Sequence, residues 1–466
     1  MKLSLLAAIA VFALAVPAQA DDVGRRFEPE KRMMVDRATG RPLTVLTSGA
    51  HSDAKNYPTH PQWAQDGLHI IFRSRDRDAD GTPQAFAVNE ITGDIIQLTD
   101  GPGVGTGSLN VARRSNKLYY MRGGRNDRPT QLVEVDLTPL FTDSAAGRMR
   151  RDGYERVVAT LPADHIEAGG FTLDADERTA YVGFDAYQAP PREPGQPVPQ
   201  VPGGLRAIDI ATGAVRTVVE VPFRMGHVQA NPFVPGEILY CHETGGDTPQ
   251  RMWIVKADGT GNRPVFEEGP TDWVTHEQFA DADHVIFNLM GHKRELRKAA
   301  TGILVVSLRD DVVDHLDQLP VEAFQRTELA NFNDANIPND ETSTGGYWHN
   351  AVTYDGRFAA GDDFDGNVFL IDRRNGQRTL LSGGHRMRPD HAHPSFSPDG
   401  NRILVQSGMM ADGQRLGLVV VPVWEAMQAR PGQSPGTAAF SSVPPAVEAF
   451  GGPSAMVAPQ AAAPRP

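Results

Sequence analysis

The chain predicts an all-β fold, a seven-bladed β-propeller of four-stranded antiparallel blades, on three observations. The first is a repeated strand–turn–strand unit, clearest in His393-Pro-Ser-Phe-Ser-Pro-Asp-Gly-Asn-Arg-Ile-Leu-Val. Pro-Asp-Gly is a turn signal between two extended segments. The second is the number of copies. Weaker versions start at His60, Ser108, Ala168, His227, His276 and His349, which with His393 makes seven. Their spacing suits blades of about 40–50 residues with insertions in loops. The third is that most copies run on into an apolar strand and a second turn, as in FAVNEITGDIIQLTDG, LRAIDIATGAVRTVV and VFLIDRRNGQRTLL. That is the rhythm of a four-stranded blade, and helical periodicity is almost absent.

From the N-terminus, residues 1–20 read as a signal peptide: Lys2, an apolar run from Leu3 to Val16, and Ala18-Gln19-Ala20 before a cleavage point after Ala20. The run is too short for a membrane anchor, so a secreted or periplasmic protein is expected. Residues 21–40 read as an N-terminal extension and 41–425 as the propeller. Arg41–Thr47 (RPLTVLT) has the look of an outer strand that precedes the first inner one, so it is expected to complete the seventh blade. The proline-rich stretch from Gln188 to Gly203 reads as a loop within the fold. The wide gap between the copies at His276 and His349 holds an expected insertion at about 311–346. Residues 426–466, rich in Pro and Ala, read as a disordered tail.

Composition narrows the function. The net charge of −13 argues against a nucleic-acid partner. A single cysteine, Cys241, excludes an internal disulfide.

Five of the seven first positions are histidine: His60, His227, His276, His349 and His393. This position is expected to begin each innermost strand, which would gather residues distant in sequence at one mouth of the central channel. His391 lies two residues before His393, on the same face of an extended strand. For any one histidine, a role in capping a turn is the plainer reading. Five at one repeat position, joined by His391, point to a site. His-x-His with a distant third histidine suits a divalent first-row metal. Gln229 should share the face of His227, and Arg251, near the channel, would want a carboxylate. His242 and Glu243 read most simply as a pair that steadies a loop.

The segments GHVQANP, YCHETGGDTPQRMWIVKADGTGNR, THEQF, WHNAVTYDGRFAAGDD and HAHPSFSPDG resemble the oligogalacturonate lyase family of seven-bladed propellers, a likeness running from about Thr44 to Pro422. The resemblance implies cleavage of short oligogalacturonates, fragments of pectin, by β-elimination with a bound manganese ion (Mn2+). It puts catalytic roles on Arg251 and His276 and metal ligands at His349, His391 and His393. Substrate contacts are expected from His227, Gln229, His242, His60 and Arg388. Arg388 also marks a departure, because the family has a glutamine ligand there and a guanidinium offers no lone pair. Either water, Asp390 or His385 fills that place, or metal binding is weakened. The family commonly works in the cytoplasm, whereas this chain carries an export signal.

The chemistry agrees with the residue types. Removing the proton α to a uronate carboxylate builds negative charge that a divalent ion can stabilise. His276 suits the proton acceptor, and Arg251 could fill that role only if strongly perturbed. The competing reading is a non-catalytic TolB-like scaffold or ligand-binding propeller, which has no reason to gather His349, His391 and His393. A peptidase propeller would need a GxSxG nucleophile motif, and none is present.

Overall fold

Turn chemistry sets the blades. In the copy ending in Ser397-Pro398-Asp399-Gly400, the Ser397 hydroxyl donates to the Asp399 carboxylate and the Ser397 carbonyl accepts from Gly400 N–H at 2.8 Å. Gly400 takes φ 72°, a conformation that costs glycine nothing. Thr353, Asp355 and Gly356 repeat the arrangement one blade earlier.

A computed structural model describes residues 22–123, 129–191, 199–245, 248–269, 272–289, 302–310, 313–318, 347–386 and 388–423. The segment read as a signal peptide, the tail and residues 192–198 of the proline-rich loop lie outside them. So does most of the expected insertion, although Val313–Gln318 at its start is the outer strand of blade 5. The strands form seven antiparallel sheets, each a four-stranded blade, and two of them carry a fifth strand. The innermost strands of blades 1 to 7 are Asp53–Lys55, Val104–Val111, Ile166–Leu173, Met225–Ala230, Val274–Phe279, Tyr347–Val352 and Ser395–Phe396. Blade 1 therefore starts its inner strand before His60, not at it. One helix, Leu137–Ala145, lies between the last two strands of blade 2, capped by Asp136 and anchored by buried Leu137 and Leu140.

Apolar clusters lie between neighbouring blades. Ile71 and Ala87 of blade 1 pack with Leu109, Leu118 and Tyr120 of blade 2. Val405 and Val419 of blade 7 pack with Ala360 and Leu370 of blade 6. Truncating such a residue to alanine typically costs about 2–5 kcal/mol. At the axis, side-chain amides stitch one inner strand to the next. Asn110 donates to the Phe171 carbonyl at 2.8 Å, Gln229 to Glu277 at 2.7 Å and Gln278 to Asn350 at 2.7 Å.

The ring closes through Pro42–Val45, which pairs with Gly417–Pro422 of blade 7 in the register Thr44 with Val420. The N-terminal extension joins the fold as well. Arg32–Val35 adds a fifth strand to blade 7, and Arg26–Phe27 adds one to blade 1. Between them Glu30 accepts from Ser48 and from Arg77 at 2.8 Å. Arg77 in turn grips the fully buried Asp53 through two bonds of 2.8 and 2.7 Å.

This clasp yields a first prediction. Asp53→Ala leaves the buried Arg77 guanidinium with Glu30 alone, and breaking a buried pair from one side costs about 3–5 kcal/mol. Denaturant titration should show a loss of that order, with Glu30→Ala losing less because Glu30 is partly solvated.

Candidate active site

The histidines sit in a recurring irregularity. In blades 4 and 5 the inner-strand register slips between Gly226 and Gln229 and between Thr275 and Gln278, leaving His227 and His276 in bulges. Both are left-handed, at φ 46° and 54°, and His393 shares this conformation at 51°. Such angles are uncommon outside glycine and mark positions that the surrounding structure enforces. In blade 3 the same slip is made by Gly169 and Gly170. Histidines thus crowd one arc of the channel mouth and small residues the other.

Four imidazoles come together. The His349 ring centroid lies 3.8 Å from that of His393, 4.2 Å from His276 and 5.5 Å from His391. Trp348 covers His391 at 4.8 Å. Behind them stands Asp362, fully buried on the second strand of blade 6, opposite His349 in register. Its carboxylate accepts from the backbone N–H groups of His349 at 2.7 Å and His393 at 3.1 Å, and lies 3.1 Å from His349 Nδ1. That contact puts the His349 proton on Nδ1 and leaves Nε2 with a lone pair, the arrangement usual for a metal-binding histidine. Ligand atoms of His349, Asp362 and His391 all lie within 4.8 Å of one another. Burial, then the neighbouring His393 and His391, push the His349 pKa well below its ordinary value, so the ring is neutral, as ligation requires. The donor set fits a divalent first-row ion. His276 is held neutral by burial and by His349, and its buried Nδ1 has no hydrogen-bond partner.

Arg251 and Glu277 form the second half of the site. Both are buried, and Arg251 Nε donates to Glu277 Oε2 at 2.9 Å. His227 Nδ1 lies 3.3 Å from Arg251 Nη2 and 3.2 Å from Glu277 Oε1. Burial alone would raise the Glu277 pKa, but Arg251 and His227 reverse it and hold the carboxyl far below its ordinary range. Burial opposes the charge on Arg251 too. The carboxylates of Glu277 and Glu243 outweigh it, so the guanidinium stays protonated. Tyr57 packs edge-on to His393 at 5.9 Å and against His227 at 5.2 Å, bridging the two halves.

Other expected positions fall elsewhere. His60 follows the inner strand of blade 1 and lines a cavity of about 70 Å³ deeper in the channel, with Asn110, Arg113, Gln229 and Gln278. It does not join the ring. Burial, then Arg113 and His227, lower its pKa to about 4. Gln229 spends its amide on the Glu277 carbonyl. His242 stacks on Phe223 and contacts Gln200 and Thr248 rather than Glu243, which faces Arg251 instead. Arg388 is exposed. Of the groups considered for its place, His385 has both ring nitrogens on the hydroxyls of Ser382 and Ser407. Asp390 stays near the cluster, 3.3 Å from His393 Nε2.

Sequence reasoning missed Asp362, Glu277 and Tyr57. Asp362 was signalled by a charge in the otherwise small and apolar strand FAAGDD, and Glu277 by its place beside His276 in THEQF.

A family model described as oligogalacturonate lyase matches residues 24–424. The chain is 25% identical over 407 residues to an oligogalacturonide lyase of Pectobacterium atrosepticum, covering 84% of this chain and 96% of that one. It is 24% identical to an oligogalacturonate lyase of Dickeya dadantii over 410 residues, with the same coverage. Among solved structures, an oligogalacturonate lyase in complex with manganese superposes with TM-score 0.67 at 20% identity, covering 87% of this chain and all of that one. The oligogalacturonate lyase of Vibrio parahaemolyticus gives 0.66 at 18%, covering 87% and 99%. These two likenesses speak to the fold.

The buried histidines away from the cluster contribute to the loss of stability in acid. His60, His165 and His385 have pKa values lowered by burial to about 4, against an ordinary 6.5. The unfolded chain binds these protons first, so stability is full above 6.5 and is lost as pH falls toward 4. Denaturant titrations between pH 7 and pH 4 should show this decline, and His385→Gln should flatten it.

Proposed function

Because the chain belongs to the oligogalacturonate lyase family, we propose that it cleaves short oligogalacturonates by β-elimination with the aid of a bound manganese ion. The observation that carries this reading is the convergence of His276, His349, His391 and His393 beside the Arg251–Glu277 pair.

His349, His391 and His393 would hold the ion, with Asp362 fixing the backbone at two of them and orienting the His349 ring. Bound there, the ion would act as a Lewis acid toward the uronate carboxylate. Arg251 is kept charged by Glu277 and Glu243, so it serves to clamp and neutralise the substrate rather than to accept a proton. His276 is the proton acceptor: its ring is neutral and adjoins the cluster, and its Nδ1 is uncommitted. Trp348 and Tyr57 wall the site and limit water. Residues 1–20 support export to the periplasm or beyond. N-terminal sequencing of protein from cell fractions is expected to read from Asp21.

The decisive experiment is incubation with di- and trigalacturonate with and without manganese, following the absorbance of the unsaturated product. Activity should vanish with chelator and return with manganese. Protein that is folded and loaded with metal yet inert toward every uronate oligomer would refute the lyase reading. His276→Ala should lower kcat by about 10²–10⁴ with little change in fold. Added imidazole should restore part of the activity of His276→Gly, whereas Arg251→Ala should respond to guanidinium. Asp362→Asn should weaken manganese binding about 10–100-fold in a titration followed by electron paramagnetic resonance.

A further inference from the structure

Around this mouth, strongly buried arginines have carboxylates. Arg251 has Glu277, and Arg77 has Asp53 and Glu30. Arg73 is the exception. It is partly buried, yet among the described residues it forms no ion pair. Its one hydrogen bond is a long 3.5 Å contact from Nη1 to the Thr106 carbonyl of blade 2.

Its place in the fold is that of a site residue. Arg73 pairs with Ala54 of the inner strand of blade 1. Cys241, Asn288 and Asp362 occupy the matching second-strand positions in blades 4, 5 and 6, opposite the stretch that bears the bulge. Arg73 is therefore the blade 1 member of the ring that backs the histidines. The nearest formal charges make its state costly. Burial disfavours its cation, and only Asp390, already engaged with His391 N–H, Gln406 and His393, offsets this through space. Lys55 beside it is fully buried, its Nζ bonded to the Asn56 carbonyl and the Ser395 hydroxyl, and burial and then Arg73 push its pKa well below the ordinary value. Arg73, without a carboxylate partner among the described residues, thus stands on the blade 1 side, across the mouth from Arg251 of blade 4.

A guanidinium out of water presents a planar fork that matches a carboxylate, and leaving it unmatched is expensive. A galacturonate oligomer carries a carboxylate on every sugar. We propose that Arg73 binds a second carboxylate of the substrate, that of a sugar neighbouring the one held at the histidine cluster, and so selects for oligomers free of methyl ester at that position. This rests on the lyase reading. Arg73 is a specificity residue for that reaction and takes no part in proton transfer.

The test uses Arg73→Ala and Arg73→Lys with trigalacturonate and with its three isomers singly methyl-esterified at each sugar in turn. A charge-assisted bond is worth about 1.5–3 kcal/mol, so kcat/KM of Arg73→Ala on the free acid should fall about 10–150-fold, mainly through KM. The wild type should discriminate against one isomer that Arg73→Ala accepts as readily as the free acid, and Arg73→Lys should lie between. The melting temperature of Arg73→Ala without substrate should hold or rise, because an unmatched buried charge has been removed. An unchanged kcat/KM, or a lowered melting temperature with kcat falling in step, would overturn the inference while leaving the lyase reading intact. A wild type inert toward all four substrates would bring down both.

Discussion

Everything at the channel mouth depends on how the innermost strands satisfy their inward edges. Each of these strands pairs on one side only, because the next blade lies face to face with it and not edge to edge. Unpaired backbone groups near the axis would be costly if left dry. The chain meets this with amides that reach across: Asn110, Gln229, Gln278 and Asn350 bond main-chain oxygens of adjacent blades. These amides lie in the C-terminal half of the strands. The bulges lie just before them, where the ladder is already broken and the backbone is free to turn left-handed. That is why the imidazoles cluster at one mouth and are not spread along the bore.

The same economy governs charge. Glu277 is fully buried and serves Arg251 through one oxygen, with His227 near the other. Asp362 takes two backbone N–H groups and one ring nitrogen. Each carboxylate is surrounded by donors that fix its position, so the groups able to face a ligand are the ones held in place from behind. Preorganisation of this kind is what electrostatic catalysis requires, since dipoles already aimed need not be reoriented during reaction.

The fold was largely legible because a propeller repeats. Seven weak copies of one turn outweigh the ambiguity of any single strand, and the apolar strands that come after them settle the blade. The closing strand at Pro42–Val45 could be read because an outer strand stood before any inner one. The site was legible where chemistry and repeat position coincided, at His276, His349 and His393. It failed where the register slipped. Blade 1 pairs Asp53–Lys55 first and then loops, so His60 lands deeper in the channel than alignment implied. Asp362 and Arg73 sit on second strands, and only cross-strand pairing tells which of their residues face the histidines. Arg388 stands three residues before His391 and is exposed.

The seam between blades 7 and 1 has a consequence for how the ring is made and unmade. Blade 7 draws its inner three strands from the C-terminal part of the chain and its outer two from the N-terminal part, and Arg26–Phe27 then crosses to blade 1. No ribosome can deliver that sheet in one stretch. The early strands must wait, edges bare, until the last strands emerge some 370 residues later, as the pairing of Thr44 with Val420 requires. Closure is then a long-range event that comes late, after the other six blades can already have formed locally. Disassembly has the same weak point in reverse: prising off the N-terminal strap would strip blade 7 of its outer strands and open the circle while the strands of the other six blades stay paired.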